Sequence, residues 1–447
     1  MVKDMTVGKP VRLMLAFAVP LLIGNIFQQF YSMVDAMIVG RFIDMQALAA
    51  VGATGSMSFL VLGFISGMTG GFSVVIAQRF GAGDYSEMRN AVALSCYLCV
   101  IMAVILSVGS ALAARPILQL MDTPDDIIDG SFRYIVVIYA GSFAPIFYNM
   151  LSGVLRALGD SRTPLYFLII SSILNVILDF SFILFFHMGV EGAAYATVLS
   201  QFISGLLCLI YMFRKFPILR FEKQDWSWNG RSAWMLVKIG MPMALQFAIT
   251  AVGVMVLQSA INSFGSETIA AYTAGSKVEQ LATQPMLTLG ITMATYTGQN
   301  LGAGQYDRIR SGVRQCSLLA LLFSVIGALI VIPFGNILVQ LFIDREYADA
   351  IGQACQYLNT IAVFFFVLGL LFIFRNVLQG IGDGFMPMMA GACELVVRVL
   401  VAFILAKFWG YAGICLAGPI AWIAATVPLI ITYLLRIRKF KVQGLLQ

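Results

Sequence analysis

Apolar runs long enough to cross a membrane recur along the whole chain, and they constrain its fold more than any other feature. Roughly 20 apolar residues span a bilayer as a helix. The chain is 60% hydrophobic and 11% charged, with a mean hydropathy of +0.90, which exceeds what a soluble domain needs. We therefore predict an all-α integral membrane protein with twelve transmembrane helices, at about 13–39, 47–76, 91–114, 132–154, 165–186, 190–213, 234–262, 268–297, 313–342, 354–378, 387–408 and 411–435.

The positions of the basic residues predict how these helices are oriented. An even number of spans puts both termini on one side. Of the 28 Lys and Arg residues, we assign twenty, Arg79, Arg89 and Arg375 among them, to the termini and the loops of that side, and only five to the opposite loops. Because cytoplasmic loops are enriched in Lys and Arg, we expect a multi-pass protein of the inner (cytoplasmic) membrane with both termini in the cytoplasm. The net charge of +6 then reflects topology, and no nucleic-acid partner is expected.

Two halves of the chain look like copies of each other. The segment Ala77–Tyr85 reappears as Gly298–Tyr306, and the Gly-Ala-Gly of each copy predicts a tight turn rather than a phosphate-binding loop. Pro20 likewise corresponds to Pro242. Six spans separate the copies, so the repeats are parallel, related by an axis along the membrane normal. We predict a first lobe at 1–213, a cytoplasmic linker at 214–233 and a second lobe at 234–447.

Glycines and prolines inside the spans predict local features of packing. Gly63, Gly67 and Gly71 recur every four residues, a stripe that lets another helix approach closely. Pro20 and Pro145 lie inside spans and are expected to kink them, because proline removes a helix hydrogen bond.

Polar side chains interrupt the apolar runs at a few positions. Asn175 and Asp179 are four residues apart and share one face of a helix, and Thr197 follows on the next run. Asp35 interrupts the first run. A carboxylate at membrane depth costs roughly 2.5–3.5 kcal/mol on insertion scales, so it indicates a functional site. We predict that Asp35, Asn175, Asp179 and Thr197 converge on one cavity that binds a coupling cation or a proton.

The residue types leave the identity of this ion open. Two acids that share a cavity repel each other and favour holding a proton between them. Carboxylates, an amide oxygen and a hydroxyl are also hard oxygen ligands, so Asp35, Asn175, Asp179 and Thr197 form a metal site if the ion is sodium. No other cofactor is expected.

The second lobe differs from the first. The position that corresponds to Asp35 is Leu257, with Gln258 as its polar neighbour. Glu394 and Arg398 are four apart on one span, and we favour a structural ion pair between them over substrate binding. Lys277 and Glu279 are two apart, therefore on different faces, and the sequence suggests no role for either.

With these motifs, the chain resembles the multidrug and toxic compound extrusion (MATE) transporters, in particular the bacterial and archaeal branch with an acidic site in the amino-terminal lobe. The resemblance extends from Pro10 to about Arg438. Its specific marks are Pro20 with Asp35 downstream, the Gln-x-x-Gly-Ala-Gly turn after each second helix, Leu155-Arg156-Ala-Leu-Gly159-Asp160, and Asn175-x-x-x-Asp179 with Thr197.

The resemblance implies a V-shaped transporter whose cation or proton site lies at Asp35, Asn175, Asp179 and Thr197. It implies a secondary active antiporter that exports amphipathic, mostly cationic drugs or toxic organic compounds in exchange for H⁺ or Na⁺. Acids, aromatic faces and methionines can attract such cations without demanding one shape, and we expect Gln28, Tyr31 and Gln201 to bind the substrate. The expected partners are small organic cations and membrane lipids, and the protein is expected to act as a monomer.

Other functions fit the residues less well. The nearest alternative is a flippase for a lipid-linked precursor, from the same superfamily, but twelve spans and buried acids argue against it. A carrier of the major facilitator type shares the parallel repeat but has a basic loop where this chain has Gly81-Ala-Gly-Asp-Tyr85. A channel or scaffold does not need two acids in facing helices. We find no nucleophile–base set and no cluster of metal ligands, so we do not expect an enzyme.

Overall fold

The computed structural model describes residues 4–121, 123–262 and 264–446, and in that part of the chain helices are connected by short turns without any strand. The helices are α1 Pro10–Phe42, α2 Met45–Ala53, α3 Gly55–Gly81, α4 Tyr85–Leu120, α5 Asp125–Ala140, α6 Phe143–Ala157, α7 Arg162–Phe180, α8 Gly189–Lys215, α9 Gly230–Asn262, α10 Ser266–Gly302, α11 Tyr306–Val339, α12 Ala348–Ala362, α13 Phe365–Ile381, α14 Phe385–Trp409 and α15 Tyr411–Val442.

Each of the twelve predicted apolar runs lies on helix. Nine helices in the described ranges are long and apolar enough to cross a membrane by themselves. Two bent helix pairs, α5 with α6 at 44° and α12 with α13 at 54°, are also long and apolar enough when each pair is taken as one span. The remaining run lies on α10, which has 37 residues but carries Lys277 and Glu279 and is more polar. The prediction of an all-α, multi-pass membrane protein is confirmed.

The repeat is visible in the geometry of the turns. Between α3 and α4, Gly83 has a φ of +71°, and between α10 and α11, Gly304 has a φ of +69°. These are left-handed conformations that glycine adopts without steric cost. Asp84 then caps α4 by accepting a hydrogen bond from the backbone N–H of Glu87 at 3.1 Å. The Gly-Ala-Gly segments are therefore helix-ending turns, as predicted.

The chain folds into two compact units, and the boundaries between them fall inside two helices, α1 and α9. One unit includes Val19–Ala244, and the other includes Met5–Ala18 and Leu245–Gln447. Both α1 and α9 are thus divided, next to Pro20 and Pro242 respectively. The lobe limits predicted at 213 and 234 follow the sequence repeat and remain a prediction.

In the first unit, the glycines of α3 pack directly on the first half of α9. A Cβ at Gly67 would lie 2.6 Å from the Cα of Ala244, and a Cβ at Gly71 would lie 2.3 Å from the Cα of Gly240. Two helix backbones therefore touch at this point, which only a residue without a side chain allows. The predicted close approach along the Gly63, Gly67 and Gly71 stripe is confirmed at Gly67 and Gly71.

The segment between α8 and α9 is held firmly in the first unit. It forms two short 3₁₀ turns, Pro217–Leu219 and Lys223–Trp226. Asp225 is buried and pairs with Nε of Arg89 at 2.7 Å. The Asn90 side chain donates to the carbonyl oxygens of Asp225 and Ser227 at 2.9 and 3.0 Å. This part of the predicted linker is therefore an ordered connection.

In the second unit, the residues before α1 bind the turn between α10 and α11. The backbone N–H of Met5 donates to Oε1 of Gln299 at 2.8 Å. Arg308 donates to the carbonyl oxygens of Gly8 and Met5 at 2.9 and 3.1 Å. The start of the chain is thereby fixed to the second unit.

Three sequence predictions about spans meet different outcomes. Arg375, assigned above to a cytoplasmic loop, lies inside α13 and is buried, so that assignment was wrong. The burial is possible because an acid on α14 pairs with it. At Pro145 the expected bend is present, since α5 and α6 meet at 44° just before it. α1 continues as one helix through Pro20.

The contact between α3 and α9 gives a test of the packing. Gly71→Leu is expected to lower the thermal unfolding midpoint of the purified protein and its folded yield, because overpacking costs about 1–3 kcal/mol or more where backbone is the neighbour. Gly109→Leu is the matched control, since a Cβ on that α4 residue meets nothing within 4 Å. Equal midpoints for the two variants would contradict the packing.

Candidate functional site

The centre of the site is the end of α7. Asn175 and Asp179 lie one turn apart on this helix, and both are fully buried. Immediately after them the chain forms a π-helical turn, Ser181–Phe185. Such turns replace regular helix hydrogen bonds and are frequent at functional sites. The sequence-predicted pair therefore lies where the helix itself departs from regularity.

Asn175 connects α7 to α8. With its carboxamide oriented to suit its neighbours, the nitrogen donates to Oδ2 of Asp179 at 2.9 Å. The carboxamide oxygen accepts from the backbone N–H of Thr197 at 3.1 Å and lies 3.4 Å from the Thr197 hydroxyl. Asn175 thus fixes one oxygen of the acid and positions Thr197 beside it.

Asp35 brings a second carboxyl group to the same place. It lies half-buried on α1, and its carboxyl group lies close to that of Asp179. Two ionised carboxylates are both acceptors only, so a hydrogen bond between them forms only when one holds a proton. Repulsion between two ionised carboxylates at this place favours a state in which one of them is protonated.

Each acid of the pair also has an oxygen without a donor. Among the described residues, Oδ1 of Asp35 and Oδ1 of Asp179 are buried and accept no hydrogen bond. Leaving a buried polar atom unsatisfied costs about 1–3 kcal/mol, and more for a charged group. Two such atoms on neighbouring carboxyl groups indicate a place for a ligand that the protein does not itself supply.

Two tyrosines complete the cluster, and sequence reasoning identified only one of them as part of it. Tyr31, one turn before Asp35, lies close to Thr197 and in the field of both acids. Tyr134 on α5 is buried and interacts electrostatically with Asp35, Tyr31 and Asp179. Because a tyrosine in an apolar run is commonplace, the sequence does not indicate that Tyr134 lies near the acids. The packing of α5 against α8 and α2 reveals it.

The other two residues predicted to bind substrate lie on the same helices as the cluster. Gln28 is exposed on α1, two turns before Asp35. Gln201 is half-buried on α8, one turn after Thr197. Their role in substrate binding remains a prediction.

The second unit has no copy of this cluster at the corresponding position. Leu257 is buried in an apolar core with Ile261 and Ile414. Charged groups lie elsewhere in this unit: Glu394 pairs with Arg398 at 2.5 Å, the ion pair expected from the sequence, and also with Arg375 at 2.8 Å.

Glu279, for which the sequence suggested no role, is held by a hydrogen bond from a tyrosine. It accepts a hydrogen bond from the hydroxyl of Tyr357 at 2.5 Å. The rings of Tyr357 and Tyr272 are in edge contact at 5.0 Å. Lys277 is exposed, so it and Glu279 do lie in different environments, as their spacing predicted.

Comparison with known proteins identifies the family to which the chain belongs. The profile of the MatE family matches residues 20–181 and 242–404, so the profile occurs twice and the parallel repeat is confirmed. The probable multidrug resistance protein YpnP of Bacillus subtilis is 29% identical over 385 residues, which cover 85% of this chain and 84% of that protein. The multidrug export protein MepA of Staphylococcus saprophyticus is 24% identical over 428 residues, covering 95% and 94% of the two chains.

A solved structure agrees on the fold. It is described as the outward-facing conformation of a multidrug resistance MATE family transporter. Its TM-score with this chain is 0.91 at 24% identity, and the alignment covers 98% of each chain.

The bond between Asn175 and Asp179 can be tested by stability. Asn175→Leu is expected to destabilise the protein by about 1–3 kcal/mol, because it leaves a buried carboxylate oxygen without its donor. The double variant Asn175→Leu/Asp179→Leu is expected to be more stable than Asn175→Leu alone, since both partners are then apolar. Thermal unfolding in detergent measures both. If the double variant is destabilised by the sum of the losses of Asn175→Leu and Asp179→Leu, the assigned hydrogen bond is contradicted.

Proposed function

Because this chain belongs to the MATE family of membrane transporters, we propose that it is a secondary active antiporter that exports amphipathic, mostly cationic organic compounds in exchange for H⁺ or Na⁺. The names of its relatives, multidrug resistance and multidrug export proteins, support this substrate class. We accordingly propose that the protein is a transporter and not an enzyme.

The observation that carries the proposal is the pair of neighbouring carboxyl groups, Asp35 and Asp179, each with one buried oxygen that lacks a donor. A proton placed between the carboxyl groups supplies the hydrogen bond that their geometry needs. A sodium ion instead takes oxygens from Asp35, Asp179, the Asn175 amide and the Thr197 hydroxyl, which are suitable hard ligands. Both coupling ions therefore fit the same residues.

Competition at these acids provides the coupling. When the cluster is free of the coupling ion, its negative charge attracts an organic cation, helped by the ring of Tyr31. When the ion binds, the charge is neutralised and the attraction is lost, so the organic cation leaves. Gln28, two turns before Asp35 on α1, and Gln201, one turn after Thr197 on α8, are the residues that we propose to contact the bound compound.

We place the protein in the inner membrane with both termini in the cytoplasm, from the distribution of Lys and Arg. All residues of the proposed ion site lie within the first unit. A monomer therefore contains a whole ion site, and we propose the monomer as the active form, in contact with membrane lipids and small organic cations.

Neutralising either acid tests the proposed coupling. Purified protein in liposomes loaded with a fluorescent organic cation is exposed to an imposed proton gradient and, separately, to a sodium gradient. Wild-type transport is expected to follow one gradient, which identifies the ion. Asp35→Asn and Asp179→Asn are each expected to lower gradient-driven transport to the level of empty liposomes, because neither variant can pair two ionisable carboxyl groups.

The matched control is Asp126→Asn, at an exposed acid in the first turn of α5, which is expected to transport normally. Gradient-driven efflux at wild-type rate in either site variant refutes the assignment. Wild-type transport that ignores both gradients points instead to the flippase alternative, which a lipid-scrambling assay on the same liposomes then tests.

Pro20 offers a test of motion in α1. The proline removes a hydrogen bond to the carbonyl of residue 16, so the helix can bend there, and the division of α1 between the two units lies beside it. Pro20→Ala restores that bond and is expected to slow the maximal transport rate severalfold with little change in KM. Pro116→Ala, at an exposed proline inside α4, is the control. Equal rates for the two variants would count against a hinge at Pro20.

A further inference from the structure

Outside the proposed ion site, five aromatic rings of the first unit form a continuous strip where α4 and α8 meet the segment between α8 and α9. Along the strip, the ring centroids lie 6.1 Å apart for Phe213 and Phe221, 5.3 Å for Phe221 and Trp226, 5.9 Å for Trp226 and Tyr97, and 6.2 Å for Tyr97 and Trp228. Trp226 and Trp228 are 41% and 59% exposed. A contiguous exposed patch of large apolar rings indicates an interaction surface, and we call this one the aromatic strip.

Hydrogen bonds hold the aromatic strip in place. The hydroxyl of Tyr97 donates to the carbonyl oxygen of Trp226 at 3.3 Å. Asp225, whose Oδ2 also pairs with Arg89, accepts from the backbone N–H of Glu222 at 2.8 Å and closes the 3₁₀ turn that carries Trp226. Rings that are ordered before a ligand arrives need not be immobilised on binding, so a smaller entropic cost opposes binding.

The aromatic strip adjoins a lipid-facing surface of α4. Beyond Tyr97, one face of this helix is apolar and 57–64% exposed, at Val100, Val104 and Val108. On a membrane-spanning helix, such a stripe contacts acyl chains. The apolar run of α4 is predicted to begin at residue 91, so Tyr97 lies about 9 Å along the helix from that point. Because Trp and Tyr are enriched at the boundary between acyl chains and headgroups, we place the strip at that boundary.

Basic side chains surround the aromatic strip. Four of them are exposed and, among the described residues, take part in no ion pair: Arg214, Lys215, Arg220 and Lys223. The two acids of the segment do not neutralise this charge. Asp225 is buried against Arg89, and only Glu222 is exposed. The surface therefore combines apolar rings with an excess of positive charge.

We propose that this surface binds a phospholipid with an anionic headgroup. An acyl chain lies along the exposed stripe of α4, the rings of Trp226 and Trp228 pack at the level of the ester groups, and the headgroup phosphate accepts charge-assisted hydrogen bonds from Arg220 and Lys223. A zwitterionic headgroup fits the same rings but brings its own positive charge towards the basic side chains, so the surface discriminates by headgroup charge. An acidic polypeptide would leave the apolar stripe uncovered, which is why a lipid is the occupant that fits.

Tryptophan fluorescence measures this preference at the surface itself. The variant Trp234→Phe/Trp409→Phe, the reporter, leaves Trp226, Trp228 and the buried Trp422 as fluorophores. The full-length reporter is reconstituted in bilayers that mix brominated phosphatidylcholine, which quenches tryptophan on contact, with phosphatidylglycerol that carries no bromine. The recovery of fluorescence as phosphatidylglycerol is added gives the affinity of the anionic lipid relative to the zwitterionic one.

We expect a relative affinity of about ten in the reporter and a fall of at least about fivefold when Arg220→Gln/Lys223→Gln is added, since each basic side chain near a membrane surface contributes a factor of about five. The matched control is Arg310→Gln/Arg314→Gln, added to the same reporter. It removes two exposed charges from α11 in the second unit and should leave the relative affinity unchanged.

A relative affinity that falls only in Arg220→Gln/Lys223→Gln supports the inference. A value near 1 in the reporter overturns it and leaves the basic residues with a topological role only. An equal fall in the control also overturns it, because the preference then reflects the net charge of the protein and not this surface. Since export is not measured, the result is independent of the proposed antiport.

Discussion

The cost of keeping carboxylates inside apolar helices is the constraint on which the rest of this structure depends. A chain that is 11% charged can place few charges at membrane depth, and each needs compensation. In the second unit, Glu394 is compensated by two arginines. In the first unit, Asp35 and Asp179 face each other, and their neighbours are an amide, a hydroxyl and tyrosines. No basic side chain is among these neighbours of Asp35 and Asp179, and we propose that a mobile cation compensates the pair.

The two halves share their turns and prolines but differ in their charges. Gly83 and Gly304 adopt the same left-handed conformation, and both α1 and α9 pass a proline where the compact units divide. The common scaffold thus constrains backbone geometry, whereas the interior side chains are free to differ. Leu257 stands at the position that corresponds to Asp35 and belongs to an apolar core. The two halves therefore differ in a few interior side chains.

The sequence was sufficient where the signal is local. The spacing of Asn175 and Asp179 alone puts them on one face of α7, and the glycine stripe of α3 predicts a close helix contact. Contacts between residues that are far apart in the sequence could not be predicted. Nothing in the neighbourhood of Tyr134 indicates that its hydroxyl approaches acids on α1 and α7, and the partner of Glu279 is Tyr357, 78 residues away.

Arg375 shows a related limit, because a charge near the end of an apolar run is read as a loop residue. Its burial becomes tolerable only through an acid on another helix. Pairing of this kind depends on how helices pack, which hydropathy does not encode. The same limit applied to the Glu394–Arg398 pair: the spacing of four residues predicted it, whereas the additional pairing of Glu394 with Arg375 on α13 could not be predicted.

Electrostatics explains why a cluster such as that of Asp35 and Asp179 can enforce exchange. A proton or sodium ion and an organic cation both respond to the same negative charge, and two unit charges about 4 Å apart repel by about 4 kcal/mol at an effective dielectric constant of about 20. At about 1.4 kcal/mol for each tenfold change, that repulsion lowers simultaneous occupancy by roughly a thousandfold. Such a penalty is reciprocal, so each cation weakens the binding of the other equally. In the antiport that we propose, mutual exclusion at this pair of acids provides the thermodynamic coupling.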